Sequence, residues 1–239
     1  MNPQIVIENY QGTHNANLQQ SVARLEKGRG YRDLSTICIV PTRGMIPAKV
    51  TQAWMGMIAP MNQKFTRIFM IGMEVGEAYT AAVENILNHP ELSKWKYILT
   101  LEEDNIPPPD GLLKLYENID DFDAIGGLYW TKGEGGQPMI YGDPNDPELN
   151  FRPQPPVMDI QPCNGLGMGF TLFKMDIFKD SRIEKPMFKT WNEWDPQKGV
   201  KMYTQDLYFF EKIKKLGYRV ACDTRVRVGH YDVGADVVW

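Results

Sequence analysis

Short apolar runs alternating with segments of helical period predict an α/β fold, a mixed sheet flanked by helices. Strand-like runs lie at residues 36–40, 65–71, 97–101 and 124–128, each apolar and followed by polar residues or by Gly and Pro. The segments between them carry apolar side chains at steps of three and four, as helices laid on a sheet require. The chain has 239 residues, 43% of them hydrophobic and 23% charged, enough to bury a core in one domain with appendages.

Residues 1–34 are polar and weakly patterned apart from Ile5-Val6-Ile7, so they read as an N-terminal extension to a single domain at 35–239. After Gly76, the residues Tyr79, Ala82, Val83, Ile86 and Leu87 form one helical face, and Asn88 and Pro90 stop the helix. Asp110 follows three prolines and is expected to cap a short helix over 110–116 that carries Leu112, Leu113 and Tyr116. Residues 129–157 lose the pattern to Gly, Pro, Asp and Asn, a long loop of the kind that serves as a lid or binding segment. An apolar stretch covers 165–173 and an irregular region covers 179–201. A helix is expected over 204–215 with Gly217 closing it, and the last strands at 218–222 and 226–228.

Thirty acidic residues against 26 basic ones give a net charge of −4, which supplies no general attraction to a polyanion. Cys38, Cys163 and Cys222 are far apart and show no metal-ligand spacing, so a zinc site or disulfide framework is not expected. No uninterrupted apolar run reaches the ~18 residues of a membrane helix, and the first residues lack a signal-peptide pattern. The expectation is a cytoplasmic protein without a membrane span.

The strand at 97–101 runs directly into Glu102-Glu103-Asp104 and then Ile106 and three prolines. Ligands in open α/β sheets bind beyond the carboxyl ends of strands. Acids placed there suit a hard divalent cation bound together with phosphate oxygens, although an exposed acidic turn would read the same way. Near the C-terminus, Val226-Arg227-Val228-Gly229-His230-Tyr231-Asp232 ends a strand with a histidine. Asp206 stands in the first turn of its helix, where the dipole alone could also explain it.

In this order, STICIVPTRG, FTRIFMIG, GEAYTAAVENILN, the strand ending in EED, DAIGGLYW, PCNGLGMGFTLFKMDIF and YTQDLYFFEKIKKLGYRVACDTRVRVGHYD resemble the GT-A glycosyltransferases, particularly the family-2-like branch. The likeness spans roughly residues 35–232. It implies a GT-A type Rossmann-like mixed sheet with long active-site loops, and a nucleotide-sugar donor, UDP-sugar ahead of GDP-sugar. It also implies that Glu102-Glu103-Asp104 stands for the family's DxD motif. Asp104 would then coordinate Mn²⁺ or Mg²⁺ bridging the diphosphate, with His230 as a second ligand and Glu102 facing the ribose or the metal. Glutamate at the first position departs from the usual aspartate and moves the carboxylate by about 1.5 Å.

Asp206 matches the aspartate that is the general base in inverting members, so an inverting transfer is the expectation, although a retaining member would need no base on that face; Gln205 replaces the acid usual beside it. Pro41, Thr42 and Arg43 match the turn that holds base, ribose and phosphate. Gly167, in Gly165-Leu166-Gly167-Met168-Gly169, matches the segment lining the sugar, where small residues let a ligand approach the backbone; a tight strand crossing explains the glycines equally well. Trp191 and Trp194, with Phe188, suit an acceptor platform or core plugging, and Trp130 a second cleft wall. Glycan, small-molecule and, last in order, nucleic-acid acceptors fit. A nucleic-acid acceptor would need a basic stripe from Lys132, Arg152, Lys185, Lys189 and Lys198. A non-catalytic nucleotide-sugar-binding module is the alternative to an enzyme, and a nucleotidyltransferase is disfavoured because PTRGMIPAK is a thin phosphate loop.

Overall fold

The computed structural model describes residues 32–61, 63–197 and 199–239; almost all of the extension expected at 1–34 lies outside them. From the N-terminal end the strands and helices run β1 (Thr36–Thr42), α1 (Ala48–Gly56), β2 (Phe65–Ile71), α2 (Val75–Asn88), β3 (Tyr97–Leu101), β4 (Asn105–Ile106), α3 (Gly111–Asn118) and β5 (Ala124–Leu128). They continue through β6 (Ile140–Tyr141), β7 (Ile160–Cys163), β8 (Gly165–Leu166), β9 (Phe170–Lys174), α4 (Met175–Lys179), β10 (Trp191–Asp195) and β11 (Gly199–Tyr203). The chain closes with α5 (Gln205–Lys215), β12 (Val220–Arg227), β13 (Gly229–Asp232) and β14 (Val237–Val238).

Seven strands form the central sheet in the order β2-β1-β3-β9-β5-β12-β7. β1 lies parallel to β2 and β3, and β5 parallel to β12, while β9 and β7 run antiparallel to their neighbours. The sheet is therefore mixed, with most strands pointing one way. β9 at its centre comes from the apolar stretch expected at 165–173, and it inverts the direction between the two parallel groups.

Alternation along β1 divides the core between the two faces of the sheet. Ile37 and Ile39 join Tyr79, Ile86, Phe173 and Phe209 on the face covered by α2, α4 and α5. Cys38 and Val40 join Val50, Trp54, Leu99 and Leu112 on the face covered by α1 and α3. All three cysteines are buried and free, and burial pushes the Cys38 and Cys163 thiols up to about 12.

Three local expectations are corrected. Asp110 does not cap α3 with its side chain; its carboxylate pairs with Lys114 one turn on, at 2.7 Å. The irregular region 179–201 contains the hairpin β10–β11, which its mixed polar and aromatic sequence does not announce. The strands expected at 218–222 and 226–228 are parts of one longer β12, whose register slips between Asp223 and Arg227. Gly217 behaves as expected: with φ 90 it closes α5, and Tyr218 N–H reaches the Ile213 carbonyl at 3.1 Å. Among the described residues no helix is long and apolar enough to cross a membrane.

Candidate active site

Beyond the carboxyl end of β3 the chain turns sharply, with Asn105 N–H bonded to the Glu102 carbonyl at 3.0 Å. This turn presents three carboxylates in succession, and each meets a different environment.

Glu103 faces the end of β1. Its Oε2 accepts from Thr42 Oγ1 at 2.7 Å and from Arg43 N at 2.9 Å, while Oε1 takes Arg43 Nε at 2.5 Å. Burial opposes its ionisation, but these donors prevail and hold the carboxyl below its ordinary value. Glu103, a residue without an assigned role in the sequence reading, thus ties the Pro41-Thr42-Arg43 turn to the acidic turn.

Glu102 is part-buried at a cavity wall. Its Oε1 accepts from the Tyr79 hydroxyl at 3.3 Å, which brings α2 into the site. Burial, then repulsion from Asp104 and Asp206, raises its pKa to about 8.

Asp104 stands at the mouth. Its backbone carbonyl accepts from Tyr231 N at 2.7 Å, and β4 and β13 pair so that His230 lies opposite Asn105. The His230 Nε2 consequently stands 3.5 Å from Asp104 Oδ2. His230 Nδ1 lies 2.7 Å from the Trp130 carbonyl, an acceptor, so Nδ1 carries a proton and donates it there, which turns Nε2 toward the carboxylate. Lys132 Nζ reaches the same Oδ2 at 2.5 Å. Burial works against the Asp104 carboxylate, but His230 and Lys132 together hold its carboxyl below the ordinary value.

Asp206 enters from the first turn of α5. It is only 5% exposed, and its Oδ1 accepts from Thr204 Oγ1 and from Leu207 N. Burial raises its carboxyl above the ordinary value despite those bonds. Its charge raises the pKa values of Glu102, Tyr129 and Tyr141.

An open cavity of about 360 Å³ is lined by Pro41, Thr42, Arg43, the three acids of the turn and Gln205, which precedes Asp206 in the chain. Met73 and Val75 give it an apolar wall. Neither residue is marked in the sequence, because an apolar residue at a helix start has no chemical signature.

The donor set can be judged from these positions. Among the described residues no three His, Cys, Asp or Glu side chains converge on a common point. Asp104 and His230 do converge, and one carboxylate oxygen plus one imidazole nitrogen suits Mn²⁺ whose other positions go to phosphate or water. The bond from Nδ1 to a carbonyl orients the ring as metal-bound histidines require. Glu102, expected as a third ligand, is held by Tyr79 and does not complete a three-residue group.

Gly167 occupies a different setting from the one the resemblance implies. A Cβ there would overlap the Tyr129 hydroxyl and Met139, and one at Gly169 would overlap the Asn105 amide. The missing side chains make room for the protein itself, because the link between β8 and β9 runs close against Tyr129, Met139 and Asn105. Gly169 N donates to Tyr129 Oη at 2.8 Å and its carbonyl accepts from Glu102 N at 3.3 Å, so this segment braces the site from behind.

The tryptophans part company. Trp191 and Trp194 are 39% and 70% exposed on β10, and Thr190 at the base of that hairpin bonds Glu74 at 2.8 Å, beside the cavity wall. Phe188 is core, its ring centroid 4.3 Å from that of Phe209. Trp130 contributes its carbonyl to His230 and packs its half-buried side chain on the core. Of the basic stripe, Lys132 is drawn to Asp104 and Lys185 to Glu84, while Lys198 lies outside the described residues.

No protein-family model matches the sequence, and no curated protein matches it. Among solved structures the chain is similar to A197 from STIV, at 18% identity and a TM-score of 0.59, covering 83% of this chain and 86% of that one. S. aureus TarS 1–349 aligns at 14% identity and a TM-score of 0.45 over 79% of this chain and 57% of that one. TarS 1–349 in complex with UDP-GlcNAc aligns at 12% identity and a TM-score of 0.44, with coverages of 79% and 55%. The likeness to A197 is one of fold, and it agrees with the mixed α/β sheet flanked by helices that the sequence predicts.

Proposed function

We propose that this protein is a glycosyltransferase that moves a sugar from a nucleoside diphosphate sugar, with a UDP-sugar the first choice, to an acceptor hydroxyl. The observation that carries this reading is one convergence: Asp104, which lines a cavity with Glu102, meets His230 at 3.5 Å, and the charge of buried Asp206 acts on Glu102. The resemblance noted in the sequence gives those residues compatible roles.

In this reading Asp104 and His230 hold Mn²⁺ or Mg²⁺, which when bound offsets the charge growing on the departing diphosphate. Thr42, Arg43 and Pro41 line the place for base and ribose, with Met73 and Val75 as the apolar wall. Glu102, steadied by Tyr79, faces the ribose hydroxyls. Asp206 takes the proton of the acceptor hydroxyl as that oxygen bonds to C1. The C1–O bond to the diphosphate breaks with its electron pair, and inversion at C1 follows from attack on the opposite face. Burial makes Asp206 a stronger base than an exposed aspartate. Trp191 and Trp194 present aromatic faces to the acceptor sugar or ring. The buried, unpaired cysteines suit a cytoplasmic setting.

The test is thermal stability against a panel of nucleotide sugars, with and without Mn²⁺, for the natural protein and Asp104→Ala. A ligand at about 100 times its dissociation constant stabilises by ~2.7 kcal/mol. The expected result is a metal-dependent shift for one nucleotide, absent in the variant. No shift with any nucleotide sugar, from folded protein, overturns the reading.

A further inference from the structure

The segment linking β5 to β6 is closed on itself. Trp130 bridges Pro138, Thr131 N–H bonds the Gln137 carbonyl at 2.9 Å, and Met139 N–H bonds the Tyr129 carbonyl at 2.9 Å. Its tip, Lys132-Gly133-Glu134-Gly135-Gly136, turns through Gly133 and Gly135 at φ 100 and 76, and a side chain at either glycine would meet nothing within 4 Å. The tip therefore stands clear of the body of the protein, and Lys132 reaches back from it to Asp104. The oxygen it reaches, Oδ2, is the one that faces His230 Nε2. An ammonium on that oxygen competes with a divalent cation for it, because like charges repel at close range and the ammonium takes up one of the oxygen's lone pairs. The pair is part exposed, with 31% of the Lys132 and 22% of the Asp104 side chain accessible, so it is weakly held and open to exchange.

We propose that Lys132 is a resident counter-ion for Asp104 that yields its place to the divalent cation and transfers its ammonium to the donor diphosphate, bringing the 131–137 tip over the bound donor. This rests on the transferase reading and adds a second, protein-borne cation to it. Before the donor arrives the ammonium offsets the repulsion among the clustered carboxylates. Afterwards it faces the phosphate oxygens, where a flexible lysine serves as a point charge.

Mn²⁺ binding, followed by loss of the free-ion paramagnetic resonance signal, provides a readout apart from activity. The proteins compared are the natural chain, Lys132→Gln, Lys132→Arg and Asp104→Asn, each with and without UDP and each shown by circular dichroism to be folded. Lys132→Gln is expected to bind Mn²⁺ alone about three- to fivefold more tightly, the worth of one part-exposed ion pair, and to bind UDP in the presence of Mn²⁺ more weakly by a similar factor. Lys132→Arg should restore both. A purely structural lysine would not move the two affinities in opposite directions. Equal Mn²⁺ and UDP affinities in the natural protein and Lys132→Gln, with Mn²⁺ lost in Asp104→Asn, overturn the exchange while the transferase reading stands. A tighter metal with unchanged UDP binding overturns the transfer to the diphosphate. No Mn²⁺ binding by any of the proteins, UDP present or not, overturns both.

Discussion

His230 Nε2 stands 3.5 Å from Asp104 Oδ2, while the other ring nitrogen is bonded to the Trp130 carbonyl at 2.7 Å. The imidazole is thereby fixed in tautomer and direction by a residue far away in the chain. It is held further by backbone bonds of 3.0 Å in both directions between His230 and Trp239. His230→Ala is expected to weaken Mn²⁺ binding by more than about tenfold, the loss that follows even when a group behind a ligand is removed. The fold should lose the edge-on contact with Tyr129 and the bond to the Trp130 carbonyl, each about 0.5–1.5 kcal/mol. Mn²⁺ titration and a melting curve on one preparation check both.

Asp206 provides a pH prediction with a definite sign. Its carboxyl is raised by burial, so the acid limb of the transferase rate is expected above the ~3.9 of an ordinary aspartate. The Thr204 hydroxyl favours the ionised form, so Thr204→Val should move the limb to higher pH. A pH–rate profile of the two proteins decides it.

Linkage gives a companion result for stability. With the folded pKa above the unfolded one, the folded state binds more protons between the two values, and the cost of the buried charge is complete only above the folded value. Asp206→Asn is expected to abolish transfer and to melt higher than the natural protein at neutral pH. That advantage should shrink as the pH falls below the folded value and vanish below the unfolded one. Thermal scans across the acid range measure the convergence.

Gly167 separates protein packing from sugar contact. Because a Cβ there meets Tyr129 and Met139, Gly167→Ala should destabilise by about 1–3 kcal/mol, as overpacking does. Tyr129→Phe removes the hydroxyl in the way, so the double variant should be less destabilised than the sum of the two single changes. Strict additivity in denaturant unfolding would sink this account of the glycine.

Trp194, 70% exposed, tests the acceptor platform. Trp194→Ala is expected to change stability by no more than about 0.5 kcal/mol and to leave nucleotide binding intact. The Michaelis constant for the acceptor should rise, which steady-state kinetics with a fixed donor would reveal.

Much of the architecture was legible because its signals are local. Strands β2, β3 and β5 coincide with apolar runs that end at polar breakers, and α2 stops where Asn88 and Pro90 say it should. The hairpin β10–β11 was not legible, since strands with few apolar positions lack the alternation that marks a buried face. The acids of the β3 turn could be located in the sequence, but their division of labour could not. Glu103 bonds Thr42 and Arg43, Glu102 accepts from Tyr79, and Asp104 meets His230 only because β4 pairs with β13. Lys132 was visible in the sequence as one member of a basic stripe, and its pairing with Asp104 was not.

What the sequence determined by itself was the alternation that makes an α/β sheet and the placing of carboxylates at a strand end, both consequences of spacing within a few residues. What only the tertiary structure decided was which distant groups share those carboxylates. A charge acts over ångströms of space, not positions in the chain, and the insertion of β9 beside β3, the β4–β13 pair and the loop bearing Lys132 set those distances.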